Sequence, residues 1–239
     1  MKIDVLADAD SVARAAASMI AEKARSGVAA RGRFIMAVSG GQTPWMMLRA
    51  LSNQDMPWEK VHVVQVDERV APAGHPDRNL THLRDSLITH APLSMDHIYA
   101  MPVEAADLEA AAAQYAATLQ ELAGSPPVLD LVHLGLGSDG HTASLVPGDS
   151  VLDATDTDVS LTGLYQGRRR MTLTYPILNR SRCILWLVTG NEKAGMLARL
   201  RDGDPSIPAG LVHREQAIVL ADRAAAASEQ LNFERGTTK

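Results

Sequence analysis

The 239 residues include 23 Lys and Arg against 28 Asp and Glu, a formal net charge of −5, and 46% are hydrophobic. That length and apolar share suit a folded protein with a substantial core, expected as a single domain over residues 1–239. The acidic balance weighs against a nucleic acid or an anionic membrane as main partner, since both are held by basic surfaces.

No apolar run is long enough to span a bilayer, and the opening "MKIDVLADADSVARAAAS" lacks the pattern of a secretory signal. Cys183 is the only cysteine, so no intrachain disulfide forms and a cytoplasmic location is expected. The segment "KIDVLADADSVARAAASMIAEKARSGVAARGRFIMAVSGGQTP" reads as strand, long helix, strand, then a glycine turn into another helix. Val12, Ala15, Ala16, Met19, Ile20 and Ala24 recur at helical spacings of three and four, and "RFIMAV" is a compact apolar run. A β-branched strand follows at residues 61–66, "VHVVQV", and runs into "DERVAPAGHPDRN". Residues 107–124, "DLEAAAAQYAATLQELAG", are an alanine-rich helix with a glycine stop.

A buried strand is expected at "VLDLVHLGL", residues 128–136, leaving the core through "GLGSDGHTASLVPG", residues 135–148. After turn signals over residues 147–158 come a strand "RMTLTY", a strand "CILWLVTG", a helix "NEKAGMLARLRDG" and a last strand "AIVLAD". Strands alternating with helices predict an α/β fold, a mostly parallel sheet with helices on both faces. Ligands of such sheets lie beyond the carboxyl ends of the strands. Four polar clusters fall there: "SGGQTP", "DER", "GLGSDGHTAS" and "TGNEKA".

Each cluster has a chemical and a structural reading. In "SGGQTP", free N–H groups at a helix start, with the Ser39 and Thr43 hydroxyls, suit a phosphate, and Gly40 and Gly41 let the backbone approach it. The same residues also make an ordinary strand-to-helix turn, with Thr43 as N-cap and Pro44 at the first helical position. Asp67 and Arg69 of "DER" are either a surface ion-pair cluster or part of a site, and Arg168, Arg169 and Arg170 read equally as solvated cations. Lys193 lies near a helix start, where a cation is disfavoured unless an anion is close.

His141 is the strongest single candidate. Asp139 can orient it, Gly140 leaves room around it, and an imidazole with an ordinary pKa of about 6.5 takes up a proton near neutrality. His62, His90, His97 and His213 have no such company. No metal-binding spacing occurs, and Ser144 lacks the G-x-S-x-G setting of a nucleophile, so neither a metal nor a covalent serine is expected.

Taken in order, "SGGQTP", "DERVAPAGHPDRN", "GLGSDGHTASLVPG", "RRMTLTYPILN", "VTGNEKAGML" and "SIPAGLVHREQAIVLADRAAAA" resemble the 6-phosphogluconolactonase family over nearly the whole chain. Arg78 stands where that family usually has Ser, and Val146 where Phe is common. The resemblance implies a Rossmann-like three-layer sandwich akin to glucosamine-6-phosphate deaminase and ribose-5-phosphate isomerase, closing with a strand and a terminal helix.

The resemblance further implies hydrolysis of 6-phospho-D-glucono-1,5-lactone to 6-phosphogluconate, a step of the pentose phosphate pathway. No cofactor is expected, and the partner is the sugar-phosphate lactone bound to a monomer or weak dimer. His141 is then the general base, with Asp139 and Asp67 orienting it or the sugar hydroxyls. Ser39, Gly40, Gly41, Thr43, Arg69, Arg170 and Lys193 hold the phosphate. Two rivals stay open: an aldose–ketose isomerising deaminase with an acid near Asp67 abstracting the sugar proton, and a non-catalytic sugar-phosphate sensor.

Overall fold

The computed structural model describes residues 1–227. Its main sheet joins β1 (Lys2–Leu6), β2 (Phe34–Val38), β3 (Val61–Gln65), β5 (Ile98–Tyr99), β6 (Leu131–Gly135), β9 (Ile184–Val188) and β10 (Ala217–Asp222) in the order β1-β10-β9-β6-β2-β3-β5. All its pairings are parallel. Residues along β2 and β9 alternate between two apolar layers. Phe34, Met36, Val38, Leu185 and Leu187 pack on one side, and Ile35, Ala37, Ile184, Trp186 and Val188 on the other. That two-sided burial is why these strands read as unbroken apolar runs in the sequence.

Helices α1 (Ala9–Arg31) and α2 (Gln42–Leu51) cover the first face; α4 (Leu108–Ala123), α5 (Tyr175–Arg180) and α6 (Ala194–Asp202) cover the second. Both long helices begin and end where side-chain and glycine chemistry dictates. Asp8 accepts the Ser11 N–H at 2.8 Å and Gly32 closes α1 in the left-handed region, while Asp107 accepts the Ala110 N–H at 3.0 Å and Gly124 follows α4. The buried stripe of α1 is mostly alanine, Ala13, Ala16, Ala17, Ala21 and Ala24, which lets the helix lie close on the sheet. No helix among the described residues is long and apolar enough to cross a membrane. After β10, where the resemblance implies a terminal helix, residues 223–226 form a turn and helix begins only at Ala227, the last described residue.

Not every expected strand joins the parallel sheet. "DER" is itself a strand, β4 (Asp67–Arg69), which pairs antiparallel with β8 (Arg170–Leu173), and β8 pairs antiparallel with β7 (Val159–Leu161). Val66 is the joint between the two sheets: its N–H donates to the Val38 carbonyl at 3.0 Å and its carbonyl accepts from the Leu173 N–H at 2.8 Å. This small sheet therefore grows from the carboxyl end of β3, above the main one.

Glu68 anchors it. Fully buried, its carboxylate accepts the backbone N–H of Arg69 (2.8 Å), Asn79 (2.7 Å) and Leu80 (2.9 Å) and the Gln65 side-chain amide (2.9 Å), with Arg78 Nε at 3.1 Å. The Arg78 guanidinium is buried, donates to the Ala71 carbonyl at 2.8 Å, and so acts as a counter-charge beneath the loop. Glu68→Ala strips these donors of their acceptor and leaves the buried Arg78 with only the exposed Glu104 carboxylate, 3.8 Å away, as counter-charge. The expected loss is ~3–5 kcal/mol, read as a lower urea midpoint; a loss below ~1 kcal/mol would show that water replaces the carboxylate.

Candidate active site

The strand order reverses between β2 and β6, and the crevice of an open parallel sheet lies at such a switch point. Here the residues after β2, Ser39 and Gly40, face those after β6, Gly135, Leu136 and Gly137, across a cleft of about 170 Å3. Asp67, Arg69, Asn79, His141, Ala143, Arg170 and Lys193 complete its lining. Of the residues expected from sequence, Ser39, Gly40, Asp67, Arg69, His141, Arg170 and Lys193 thus meet in one place. Gly41, Thr43 and Asp139 are not among the residues that line it, although Asp139 bonds His141.

The imidazole is held by its neighbour. His141 Nδ1 lies 2.5 Å from Asp139 Oδ1, which also accepts the His141 backbone N–H at 3.1 Å. Tyr165 donates its hydroxyl to Asp139 Oδ2 at 3.0 Å. Burial acts to raise the Asp139 pKa, but the bonds from the His141 ring and backbone hold it below the ordinary carboxylate range. An ionised Asp139 places the ring proton on Nδ1 and leaves Nε2 as the proton acceptor. Gly137 makes this geometry possible: a Cβ there would lie 2.1 Å from His141 Nδ1 and 2.6 Å from Asp139 Oδ1. The three glycines that leave β6 are thus explained in part by the room the dyad occupies.

Asp67 does not orient the histidine. Its carboxylate accepts from Ser144 Oγ at 2.6 Å and from Asn79 Nδ2 at 3.1 Å, and it is only 4% exposed. Ser144 is therefore a buried clamp between the His141 loop and β4, in keeping with the absence of a nucleophile's setting. Asn79 links the wall together, because its Oδ1 accepts from Arg69 Nη1 at 3.0 Å and would collide with any side chain at Gly40. Nothing in the sequence singles out Asn79 beyond its place at the end of "DERVAPAGHPDRN".

The "SGGQTP" turn is built differently from its structural reading. Gly41 is the N-cap of α2, so Thr43 and Pro44 lie inside the first turn. The Thr43 hydroxyl shares a 2.7 Å hydrogen bond with Thr189, and Ser39 Oγ donates to the His133 carbonyl at 3.0 Å. Both hydroxyls thus tie strand ends together: Ser39 fastens β2 to β6, and Thr43 fastens α2 to the loop after β9.

Positive charge is concentrated on the opposite wall. Arg69 and Arg170 are direct cross-strand partners, an arrangement that like charges disfavour. Burial, and then Arg69, lower the Arg170 pKa. Each guanidinium keeps a buried Nε–H that meets no acceptor among the described residues. Arg170 is steadied by Gln166 Oε1 at 3.0 Å and by the Tyr165 ring, 4.7 Å below its guanidinium carbon. Lys193 closes the cleft from a short 3-10 turn (Asn191–Lys193) that occupies the expected helix start, so α6 itself begins three residues later, at Ala194. Arg168 is directed elsewhere, to Asp77 at 2.6 Å.

This geometry defines an open α/β protein covered by helices on both faces, with a polar cleft at the switch point of its parallel sheet. The chain belongs to the family described as glucosamine-6-phosphate isomerases/6-phosphogluconolactonase, whose pattern matches residues 7–220. It is 36% identical over 239 residues to the 6-phosphogluconolactonase of Mycobacterium tuberculosis, covering 94% of this chain and 97% of that one. The crystal structure of 6-phosphogluconolactonase from Thermotoga maritima matches with a TM-score of 0.81 at 26% identity, covering 92% of this chain and 98% of that one. A monomeric glucosamine-6-phosphate deaminase matches with a TM-score of 0.83, over 95% of this chain and 99% of that one, at 21% identity, a likeness of fold alone.

Beneath Ser39 lies His133, fully buried, whose Nδ1 faces the Ser39 N–H at 3.3 Å. Burial pushes its pKa down to about 3, against an ordinary 6.5. Above pH 6.5 neither state carries this proton and stability is at its full value. As pH falls, the unfolded chain takes up the proton first, so stability drops by up to ~1.4 kcal/mol per pH unit. The drop levels off only where the folded imidazole titrates, near pH 3. His133→Asn is expected to flatten the dependence of urea-unfolding free energy on pH between about pH 6 and pH 4; an unchanged slope would assign the effect to other groups.

Proposed function

We propose that the chain hydrolyses 6-phospho-D-glucono-1,5-lactone to 6-phosphogluconate, with His141 as general base. The observation that carries this reading is one cleft holding a carboxylate-oriented imidazole and three cations, Arg69, Arg170 and Lys193. A phosphate monoester carries roughly −1.5 to −2 charges at neutral pH, and a chain of net charge −5 binds it only through a local excess of donors. The two unpartnered Nε–H groups and the like-charged Arg69/Arg170 pair are relieved when a dianion enters. Kinship also favours a lactone over an amino sugar, since the 36% identical relative from Mycobacterium tuberculosis is a 6-phosphogluconolactonase.

In the reaction, His141 Nε2 takes a proton from water as the water oxygen bonds to the lactone carbonyl carbon. Asp139 holds Nδ1–H and steadies the imidazolium that forms. When the tetrahedral intermediate collapses, the C–O bond to the ring oxygen breaks and His141 returns the proton to that oxygen. One water is consumed and the ring opens to a hydroxy acid. A lactone is an activated ester, so no acyl-enzyme is required and Ser144 stays in its structural bond to Asp67. Backbone N–H groups of the glycine loops are the donors for the developing oxyanion, each worth on the order of 10²-fold.

His141→Ala is expected to lower kcat for freshly prepared phosphogluconolactone by about 10²- to 10⁴-fold, followed by coupling to phosphogluconate dehydrogenase with the spontaneous rate subtracted. Wild-type turnover in the folded variant would remove His141 from the mechanism, and ammonia release from glucosamine 6-phosphate would move the assignment to the deaminase reaction. Lys193→Ala is expected to raise KM for the phosphorylated lactone several-fold, by about the 1–2 kcal/mol of one charge-assisted hydrogen bond, while leaving gluconolactone little changed. Equal effects on both substrates would count against a phosphate contact.

A further inference from the structure

Between β7 and β8 the chain makes a hairpin tip, residues 163–169, that sets two side chains, Tyr165 and Gln166, against residues of the site. Tyr165 and Arg168 exchange backbone hydrogen bonds of 3.0 and 3.3 Å around Gln166 and Gly167, both at positive φ. The tip is pinned at either end: the Gly163 N–H donates to Asp149 Oδ2 at 2.9 Å, and Arg168 Nε to Asp77 Oδ2 at 2.6 Å. Leu164 beside it is 78% exposed, and Gln166 is exposed too, yet Tyr165 is half-buried. Its ring touches both Arg170 and His141, which line the cleft. One face lies under Arg170, and its edge meets the His141 ring, with centroids 5.6 Å apart at 64°.

We propose that Tyr165 is a positioning residue that fixes Asp139 for the His141 base with its hydroxyl and supports Arg170 with its ring. The inference rests on the lactonase reading and names a group that reading does not use. Asp139 is the least confined member of the dyad, with its side chain 38% exposed. Carboxylate torsions are soft, and His141 engages only Oδ1. The Tyr165 hydroxyl engages Oδ2, and with both oxygens bonded the carboxylate plane is set. Neighbouring Gln166 holds Arg170 Nη2, so a single turn serves both the proton-transfer group and a phosphate cation.

Tyr165→Phe and Tyr165→Leu separate the two roles. Phe keeps the ring under Arg170 and loses the hydroxyl. It is expected to lower kcat by roughly tenfold or more, the size of one hydrogen bond to a charged group, with KM for phosphogluconolactone within about twofold of wild type. Leu loses the ring as well, and KM is expected to rise a further two- to fivefold or so. The groups facing the imidazole are Asp139 from its own loop and Tyr165 from the hairpin. Arg170 lies behind the phenol, and Asp67, Arg69 and Lys193 share the cleft. Without the phenol, Asp139 holds the imidazolium more strongly, so the acid limb of the kcat profile moves to higher pH in Tyr165→Phe.

A double-mutant cycle with Asp139→Asn supplies the second readout: in that background Tyr165→Phe is expected to cost little more. Wild-type kcat and an unmoved acid limb in Tyr165→Phe, or losses that add fully in the cycle, would overturn the inference while His141→Ala remains inactive. Turnover surviving in His141→Ala would instead overturn the lactonase reading itself.

Discussion

A carboxylate sealed from water sets the geometry on which the cleft depends. Unpaired, the buried Glu68 would cost several kcal/mol, so the chain around it has to bring donors inward. It recruits the Arg69, Asn79 and Leu80 amides together with Gln65 and Arg78. That requirement folds "DER" back on "PDRN", and once Asn79 is in place its side chain bonds Asp67 and Arg69 and closes against Gly40. The wall of the cleft is thus a consequence of satisfying one buried charge. The same logic accounts for Arg78, whose departure from the resembled family's usual serine adds a cation beneath Glu68, facing away from the cleft lining.

The second constraint is topological. A parallel sheet alone would offer the cleft only loop ends, as at Ser39, Gly137 and Lys193. Turning the chain at Val66 into an antiparallel second sheet sets Arg69 and Arg170 side by side on rigid strands facing those loops. Strand-borne cations are held more firmly than loop-borne ones, and here they stand across from an imidazole carried by the loop after β6. The cleft is small, and none of its lining residues is fully exposed, so its charges are screened less than those on the surface. An acidic protein can therefore maintain a local positive site.

How much of this the sequence reveals follows from the range of the forces involved. Strands β2, β3, β6, β9 and β10 and helices α1, α4 and α6 are legible because burial writes apolar runs and 3.6-residue stripes into the chain, and because Asp107 and Gly124 mark helix ends locally. The small sheet is not, since β4 and β7 have three residues each and β4 is wholly charged. Roles at the site follow the same division. The bond between His141 and Asp139 spans two residues and is visible in "SDGH". Ser39 spends its hydroxyl on a carbonyl 94 residues away, Asp67 accepts from a serine 77 residues away, and Tyr165 reaches Asp139 across 26. No local pattern encodes such partners, so Asn79, Glu68 and Tyr165 pass unnoticed, and so does the bond that Asp67 makes with Ser144.

Departures from ordinary folding rules gather around the same cleft. Two arginines face each other across a strand pair, and each keeps a buried N–H without an acceptor. Ala143, on the lining, holds a left-handed backbone at φ 51° that costs a non-glycine residue on the order of 1 kcal/mol or more. Gly137 gives up any side chain so that the dyad can fit. Among the described residues, other buried polar atoms without a hydrogen bond lie at Arg78, His97, His133, Thr142 and Trp186, none of which lines the cleft. A sequence that caps its helices and fills both core layers has no folding reason to retain like charges and strain together at one edge. On the function proposed above, an anion completes the arginines and a reacting carbonyl stands before the histidine, so that the stability given up at the cleft is recovered as binding.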